Sequence, residues 1–266
     1  MELNNKPQIL VAGLKFGYTR ETLVLNDLNC QIMAGERVAI LGHNGAGKTT
    51  LFNVIAGTAK NYEGTVKLNG KDLSLLSKTD IARLIALVPQ KHEPLFPFLT
   101  RDFIMMGRYA RIGLFGNARP EDVESVENAA HEAGAHRFLD RPYNTLSGGE
   151  MQLVLIARSL AQESEILILD EPNTHLDYRN KFVVMDLVKR ISEARKVTLV
   201  MSLHDPNDVL HFASRVIVMA GGAIIADGVP HDVINEKLLA DCFGVRAKAI
   251  CGENGELVFQ PAEVIR

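Results

Sequence analysis

Residues 37 to 49 read Arg37-Val38-Ala39-Ile40-Leu41-Gly42-His43-Asn44-Gly45-Ala46-Gly47-Lys48-Thr49, an apolar run that breaks into glycines and closes on lysine and threonine. From Gly42 onward it fits G-x-x-x-x-G-K-[ST], with a strand before it and a helical stretch, Lys48 to Ala56, after it. Glycines let backbone N–H groups converge on phosphate oxygens where a Cβ would obstruct the approach. The helix adds the positive end of its dipole. Lys48 is placed to reach the β and γ phosphates, and Thr49 to offer a hydroxyl to Mg²⁺. The competing account, a glycine-rich turn that fits by accident, does not explain the correct flanking elements.

Upstream, Ile9 to Tyr18 and Thr22 to Ile32 read as strands, and Gly64 to Leu68 as a strand entering a tight turn at Asn69-Gly70. Ile85 to Val88 is a short apolar strand. After Gln90 the apolar spacing turns helical, from about Thr100 to Arg137, with Pro120 at a helix start. Strand signals resume at Ile166 to Leu169 and Val197 to Ser202. Val216 to Met219 and Ala223 to Ala226 read as a hairpin around Ala220-Gly221-Gly222. Continuous apolar strands alternating with helices imply a parallel sheet covered on both faces. The expected fold is therefore α/β, with a parallel-sheet core and an N-terminal antiparallel β subdomain. A helical subdomain is expected at about residues 91–160, and a C-terminal extension at about 231–266, within a single domain spanning 1–266.

Ile166-Leu167-Ile168-Leu169-Asp170-Glu171 is an apolar strand ending in two carboxylates. In a parallel sheet its C-terminal end opens where ligands bind. Asp170 is then placed to hold Mg²⁺ and Glu171 to polarise an attacking water. The bland reading, a buried strand capped by solvated acids, loses ground once the phosphate loop is upstream.

Composition narrows the classes. The chain has 266 residues, 47% hydrophobic and 23% charged, with a formal charge of -3, so no basic surface for nucleic acid is implied. Its longest apolar stretches fall short of the roughly 20 residues of a membrane-spanning helix. The N-terminus shows no basic segment followed by an apolar run. Cys30, Cys242 and Cys251 have no metal-ligand spacing and read as reduced cytosolic thiols. The expectation is a cytosolic protein that reaches any membrane through a partner.

Leu146-Ser147-Gly148-Gly149-Glu150 lies between the phosphate loop and the acidic strand. It resembles the signature of the ABC ATPases, with glutamate where glutamine is commoner. Ser147 and glycine backbone opening a helix, Met151 to Ala161, would make a second anion-binding nest. The resemblance runs from Leu14 to about Gly244. It implies the phosphate-loop ABC ATPase fold, ATP hydrolysis with Mg²⁺, and a head-to-tail pairing of two copies in which the signature closes over the γ-phosphate held by the opposite subunit. It also implies roles for further residues. Tyr18 matches the aromatic that stacks on adenine, although an aromatic near a strand end is more often core. Gly42 through Lys48, with Thr49 and Thr50, match the ATP-binding loop. Gln90 matches the glutamine that senses Mg²⁺ and nucleotide, so Thr49, Gln90 and Asp170 are the implied Mg²⁺ ligands. Asp177 matches the loop that crosses the dimer interface, and His204 the histidine on the γ-phosphate. Lys48, Glu171 and His204 are thus the implied catalytic set. Asn173 departs from the commoner threonine. The other seven histidines show no ligand spacing and read as ordinary.

Fewer than a hundred residues separate Thr49 from Leu146, without heptads, unlike the coiled-coil DNA-repair ATPases. One cassette without membrane helices is similar to the free-standing subunits that work beneath two separate permease subunits, fed by a substrate-binding protein, at the cytoplasmic face of the membrane. Phe96 to Arg108, Leu176 to Asn180 and the tail from Phe243 to Pro261 resemble importers of iron-siderophore, haem or cobalamin. Importers of simple metal ions or oxyanions such as molybdate, and a stand-alone regulatory ATPase, are the alternatives. The stretch Gln90 to Arg108 is the expected permease-docking surface.

Overall fold

The structure is a computed structural model that describes residues 6–19, 21–92, 96–113, 116–174, 176–252 and 255–265. The chain falls into two units, residues 1–75 with 199–266, and residues 76–198.

The first unit opens with β1 (Ile9–Phe16) and β2 (Leu25–Ile32), then β3 (Arg37–Leu41), α1 (Lys48–Ile55), β4 (Glu63–Leu68) and β5 (Lys71–Asp72). β1 is the hub of an antiparallel sheet, with β2 on one side and β4 on the other, and β4 pairs onward with β5. Period-two burial sorts its faces: Leu28, Cys30 and Ile32 of β2 turn inward while Asn29 and Gln31 are exposed, and Leu25 joins the buried face across an irregularity at left-handed Asp27. The turn at Asn69-Gly70 has φ of 49° and 79°, the left-handed pair that a tight hairpin demands.

The second unit holds α2 (Lys78–Leu84), β6 (Ile85–Val88), α3 (Thr100–Met105), α4 (Tyr109–Ile112), α5 (Pro120–Glu132), α6 (Gly148–Ala161), β7 (Ile166–Asp170) and α7 (Tyr178–Arg195). β6 and β7 run parallel, Ile85 opposite Ile166 and Val88 opposite Leu169. Between them α3, α5 and α6 pack on one another. Val126, Ala129 and Ala130 are the inward stripe of α5, whereas consecutive buried Val154, Leu155, Ile156 and Ala157 show that α6 is enclosed around most of its circumference. Pro120 occupies the first turn of α5.

The chain returns to the first unit with β8 (Thr198–Leu203), α8 (Pro206–Phe212), β9 (Arg215–Ala220), β10 (Ala223–Gly228), α9 (Pro230–Val233), α10 (Glu236–Phe243), β11 (Val245–Cys251) and β12 (Leu257–Val264). β3 lies between β8 and β9, parallel to both, and β10 closes a hairpin against β9. Every residue of β8 is buried, as a strand covered on both faces requires. Side chains of α8 and α10 tie down the C-terminal hairpin of β11 and β12, with Glu236 accepting from the Ala249 N–H at 2.9 Å. Asn207 of α8 donates to the Phe259 carbonyl at 3.1 Å and accepts from its N–H at 2.8 Å. Among the described residues no helix is long and apolar enough to cross a membrane.

The three thiols are chemically unequal. Cys30 is buried on β2, and burial, with Asp227 nearby, pushes its pKa up to about 12 against the opposing pull of Arg215. Cys242 is half-buried, and burial followed by the Asp241 charge raises its thiol as well. Cys251, at the end of β11, is exposed.

Candidate nucleotide site

Four buried residues of β3, Val38 to Leu41, deliver the chain to Gly42. The loop from there to α1 is shaped by glycine: Gly45 and Gly47 have φ of 84° and 101°. A Cβ on Gly47 would also lie 2.8 Å from Leu25 Cδ2, so this position admits no side chain on two counts. Lys48 is only 5% exposed, and its ammonium donates to the Gly42 carbonyl at 2.7 Å and the His43 carbonyl at 3.2 Å. The cation therefore lies along the loop, where phosphate charge would attract it. His43, Asn44, Gly45 and Thr49 are exposed around it, while Ala46 and Thr50 are buried.

The Tyr18 ring is 66% exposed, edge-on to Phe16 at 5.1 Å, and its hydroxyl lies 3.3 Å from Thr50 Oγ1. That exposure is what a stacking platform needs and what a core tyrosine lacks. His204 follows β8 directly and is exposed. Since Leu41 and Leu203 are register partners, His204 leaves its strand beside Gly42.

In the second unit, β7 is buried throughout and ends in Asp170, 3% exposed. The next residue, Glu171, has φ of 47°, a left-handed backbone that an L-residue adopts at a cost of about 1–3 kcal/mol and that clusters at functional sites. Glu171 Oε2 accepts from Gln90 Nε2 at 2.7 Å and from Thr174 Oγ1 at 3.1 Å. Gln90 comes two residues beyond β6, so the parallel pair β6 and β7 brings glutamine and glutamate together. Asn173 is buried here, and His175 lies outside the described residues.

Ser147 is the N-cap of α6. Its hydroxyl accepts from the Glu150 N–H at 3.4 Å while Glu150 Oε2 accepts from the Ser147 N–H at 2.9 Å, a reciprocal capping box. The Ser147 backbone bond first, and then Arg141, hold the Glu150 carboxyl below its ordinary pKa against partial burial. Glutamate at the last signature position therefore has a local task, one that the Ser147-x-x-Glu150 spacing itself announces. A Cβ on Gly149 would lie 2.8 Å from the Asn180 side-chain nitrogen. Asn180 is itself tied to Asp177, the N-cap of α7, through its N–H at 2.7 Å and its amide at 2.8 Å. Of the stretch Leu146, Ser147, Gly148, Gly149 and Glu150, it is Gly149 that meets the start of α7, where the held Asn180 side chain leaves little room for a larger residue.

One expectation is corrected. Arg108 closes the stretch expected to dock a permease, but it is 6% exposed. Its guanidinium donates to Asp122 Oδ1 at 3.0 Å and to the Ala161 carbonyl at 2.8 Å, and it pairs with Glu163 Oε2 at 3.0 Å. A buried arginine with three partners is a structural tie at the C-terminus of α6, where cations favour the helix dipole. Phe96, Phe98, Leu99 and Tyr109 are exposed in its place, with Met105 and Met106 half-buried; Glu93, Pro94 and Leu95 lie outside the described residues.

A family description, ABC transporter, matches residues 25–174. The chain belongs to the ABC transporter family. It is 36% identical over 258 residues to the hemin import ATP-binding protein HmuV of Burkholderia thailandensis, covering 90% of this chain and 95% of that one. Among solved structures it is similar to a metal-chelate type ABC transporter in an inward-facing conformation, at a TM-score of 0.84 and 25% identity over 97% of this chain and 98% of the other. It is also similar to a dimeric bacterial ABC transporter cassette, at a TM-score of 0.73 and 27% identity over 84% and 98%. The matched residues hold both the phosphate loop of the first unit and the acidic strand of the second.

Proposed function

We propose that this ABC-family chain is the ATP-hydrolysing subunit of an importer of a metal chelate, of the iron-siderophore, haem or cobalamin class. The observation that carries the hydrolytic part is the Gln90–Glu171–Thr174 cluster at the end of a buried strand whose last residue is Asp170. The HmuV likeness and the metal-chelate transporter likeness support the cargo class; the simple-ion, oxyanion and regulatory alternatives have no comparable support.

In this reading Tyr18 stacks on adenine, and the N–H groups of residues 42 to 50 with the Lys48 ammonium hold the phosphates. Glu171, steadied by Gln90 and Thr174, orients and deprotonates the attacking water, and His204 donates to the γ-phosphate. The hydroxyl of Thr49, the carboxylate of Asp170 and the amide carbonyl of Gln90 are hard oxygen donors, the set that Mg²⁺ prefers. Gln90 fits that assignment because its amide nitrogen is already committed to Glu171, which leaves its oxygen for a ligand's role. Bound Mg²⁺ would neutralise charge on the β and γ phosphates.

The Ser147–Glu150 box opening α6 is an anion-binding end of a 14-residue helix. It is assigned to the ATP of a second copy, as the likeness to a dimeric cassette supports. Mixing Lys48→Ala chains with Ser147→Ala chains tests this, because some mixed pairs then retain one intact composite site. ATPase activity above that of either variant alone is expected; mixed dimers no more active than their parts would count against sharing.

The subunit is further assigned to two permease subunits at the cytoplasmic face, with a substrate-binding protein beyond them, through Phe96, Phe98 and Tyr109. Phe98→Ala is expected to abolish cargo uptake in reconstituted vesicles while the isolated subunit keeps its ATPase rate. Uptake unchanged by Phe98→Ala, or a receptor that takes only sugar, peptide or amino acid, would remove the docking or cargo assignment and leave the ATPase standing.

A further inference from the structure

Glu127, His131 and His136 have no place in the ATPase cycle above. Glu127 and His131 are one helical turn apart on α5 and share a face. His136 is brought back to that face by the way the helix ends. The Ala135 N–H bonds the Ala130 carbonyl at 2.7 Å and the Gly134 N–H bonds the His131 carbonyl at 3.0 Å, with Gly134 left-handed at φ 71°. This is a Schellman turn, which fixes the exit direction of the chain. Buried Ala133, Ala135, Phe138 and Leu139 then pin the segment on either side of His136. The backbone beneath all three side chains is therefore set by packing.

The side chains converge. The imidazoles of His131 and His136 stack with centroids 3.7 Å apart and 21° between their planes. His136 Nε2 lies 3.3 Å from a Glu127 carboxylate oxygen. One ligating atom from each residue lies within 4.8 Å of the other two. Glu127 is half-buried and both histidines are exposed, so an ion has a path in and room for water.

We propose that Glu127, His131 and His136 bind one divalent transition cation of the zinc class. Two imidazole nitrogens and one carboxylate oxygen form a borderline donor set that favours Zn²⁺, Co²⁺, Ni²⁺ or Cu²⁺ over Mg²⁺. Three protein ligands leave a fourth tetrahedral position to water. Bonds of about 2.0–2.1 Å place tetrahedral ligand atoms about 3.3 Å apart, so binding requires the stacked imidazoles to turn out of their near-parallel planes until a nitrogen of each faces the ion. A simple ion pair between His136 and Glu127, with His131 only stacked on His136, would take up no metal ion, and metal titration separates the two accounts. The proposal does not depend on the ATPase reading and survives its failure.

The test uses the full chain, stripped with chelator and free of nucleotide and Mg²⁺. Zn²⁺ is titrated by calorimetry, and Co²⁺ by the visible bands of a tetrahedral site. One ion per chain is expected, with a Zn²⁺-dependent rise in melting temperature. His131→Ala, His136→Ala and Glu127→Gln should each weaken binding by about ten-fold or more. Their metal-free melting temperatures and Mg²⁺-ATPase rates should match the parent, which shows that the fold is intact. No binding at millimolar Zn²⁺, or equal binding and equal thermal shift in the doubly substituted His131→Ala, His136→Ala chain, overturns the proposal.

Discussion

Glu171→Gln lowers ATP turnover by about two orders of magnitude or more, the range that follows from removing an acid–base group, while ATP binding persists. The geometry explains why binding should survive. A glutamine carbonyl at position 171 can still accept from Gln90 and Thr174, so the cluster keeps its shape and loses only its basicity. The ATP-bound dimer should then accumulate, visible as a shift in size-exclusion elution on adding MgATP. Steady-state phosphate release near the parent rate would remove Glu171 from its assigned role.

Arg108→Glu is expected to lower stability by roughly 3–5 kcal/mol, the cost of breaking a buried ion pair and leaving its partner charges uncompensated. The substitution would set three carboxylates together, since Asp122 and Glu163 face the same guanidinium. Both acids are held below their ordinary pKa. For Asp122 the Arg119 backbone N–H is the main cause, with Arg108 adding to it. For Glu163 burial acts upward but is outweighed by Arg108, Ser125 and Arg111. A depressed carboxylate pKa contributes stability fully above the unfolded-state value and loses it as pH falls through the folded value. The parent should therefore weaken on the acid side of neutrality, below the ordinary carboxylate range. Urea midpoints for the parent and Arg108→Glu decide the matter, and equal midpoints would mean that the tie carries little.

Much of the machinery is legible because short-range chemistry writes it. The β3–loop–α1 unit has closely spaced glycines, a lysine and a threonine, and the acidic strand has a run of aliphatics ending in two acids. The boundaries of β3 and β6 match the sequence reading, since each is an uninterrupted apolar run. What stays hidden depends on partners distant in sequence or on caps. Arg108 looks like a surface residue in the sequence because its partners at 122 and 163 declare themselves only after α5 and α6 fold together. Helix α7 escapes the sequence reading, although Val184, Leu187, Val188 and Ile191 carry its buried stripe, because its polar opening at Asp177 resembles an interface loop. His131 and His136 read as ordinary although four intervening residues fall within the range of paired zinc ligands, because only the Schellman turn between them shows that His136 returns to the face of His131. Glu150 reads as a variant of glutamine, whereas its carboxylate also closes a capping box that either residue type can make.

The unequal burial of the three cysteines has a practical corollary. With Cys30 sequestered at a pKa of about 12 and Cys242 also discouraged from ionising, a maleimide spin label or fluorophore used sparingly near neutral pH should go first to Cys251. That places a reporter on the hairpin clamped by Asn207 without altering a single codon. Two copies labelled in this way would carry one probe each, and the probe-to-probe distance could be followed through nucleotide addition and hydrolysis in the unmodified protein.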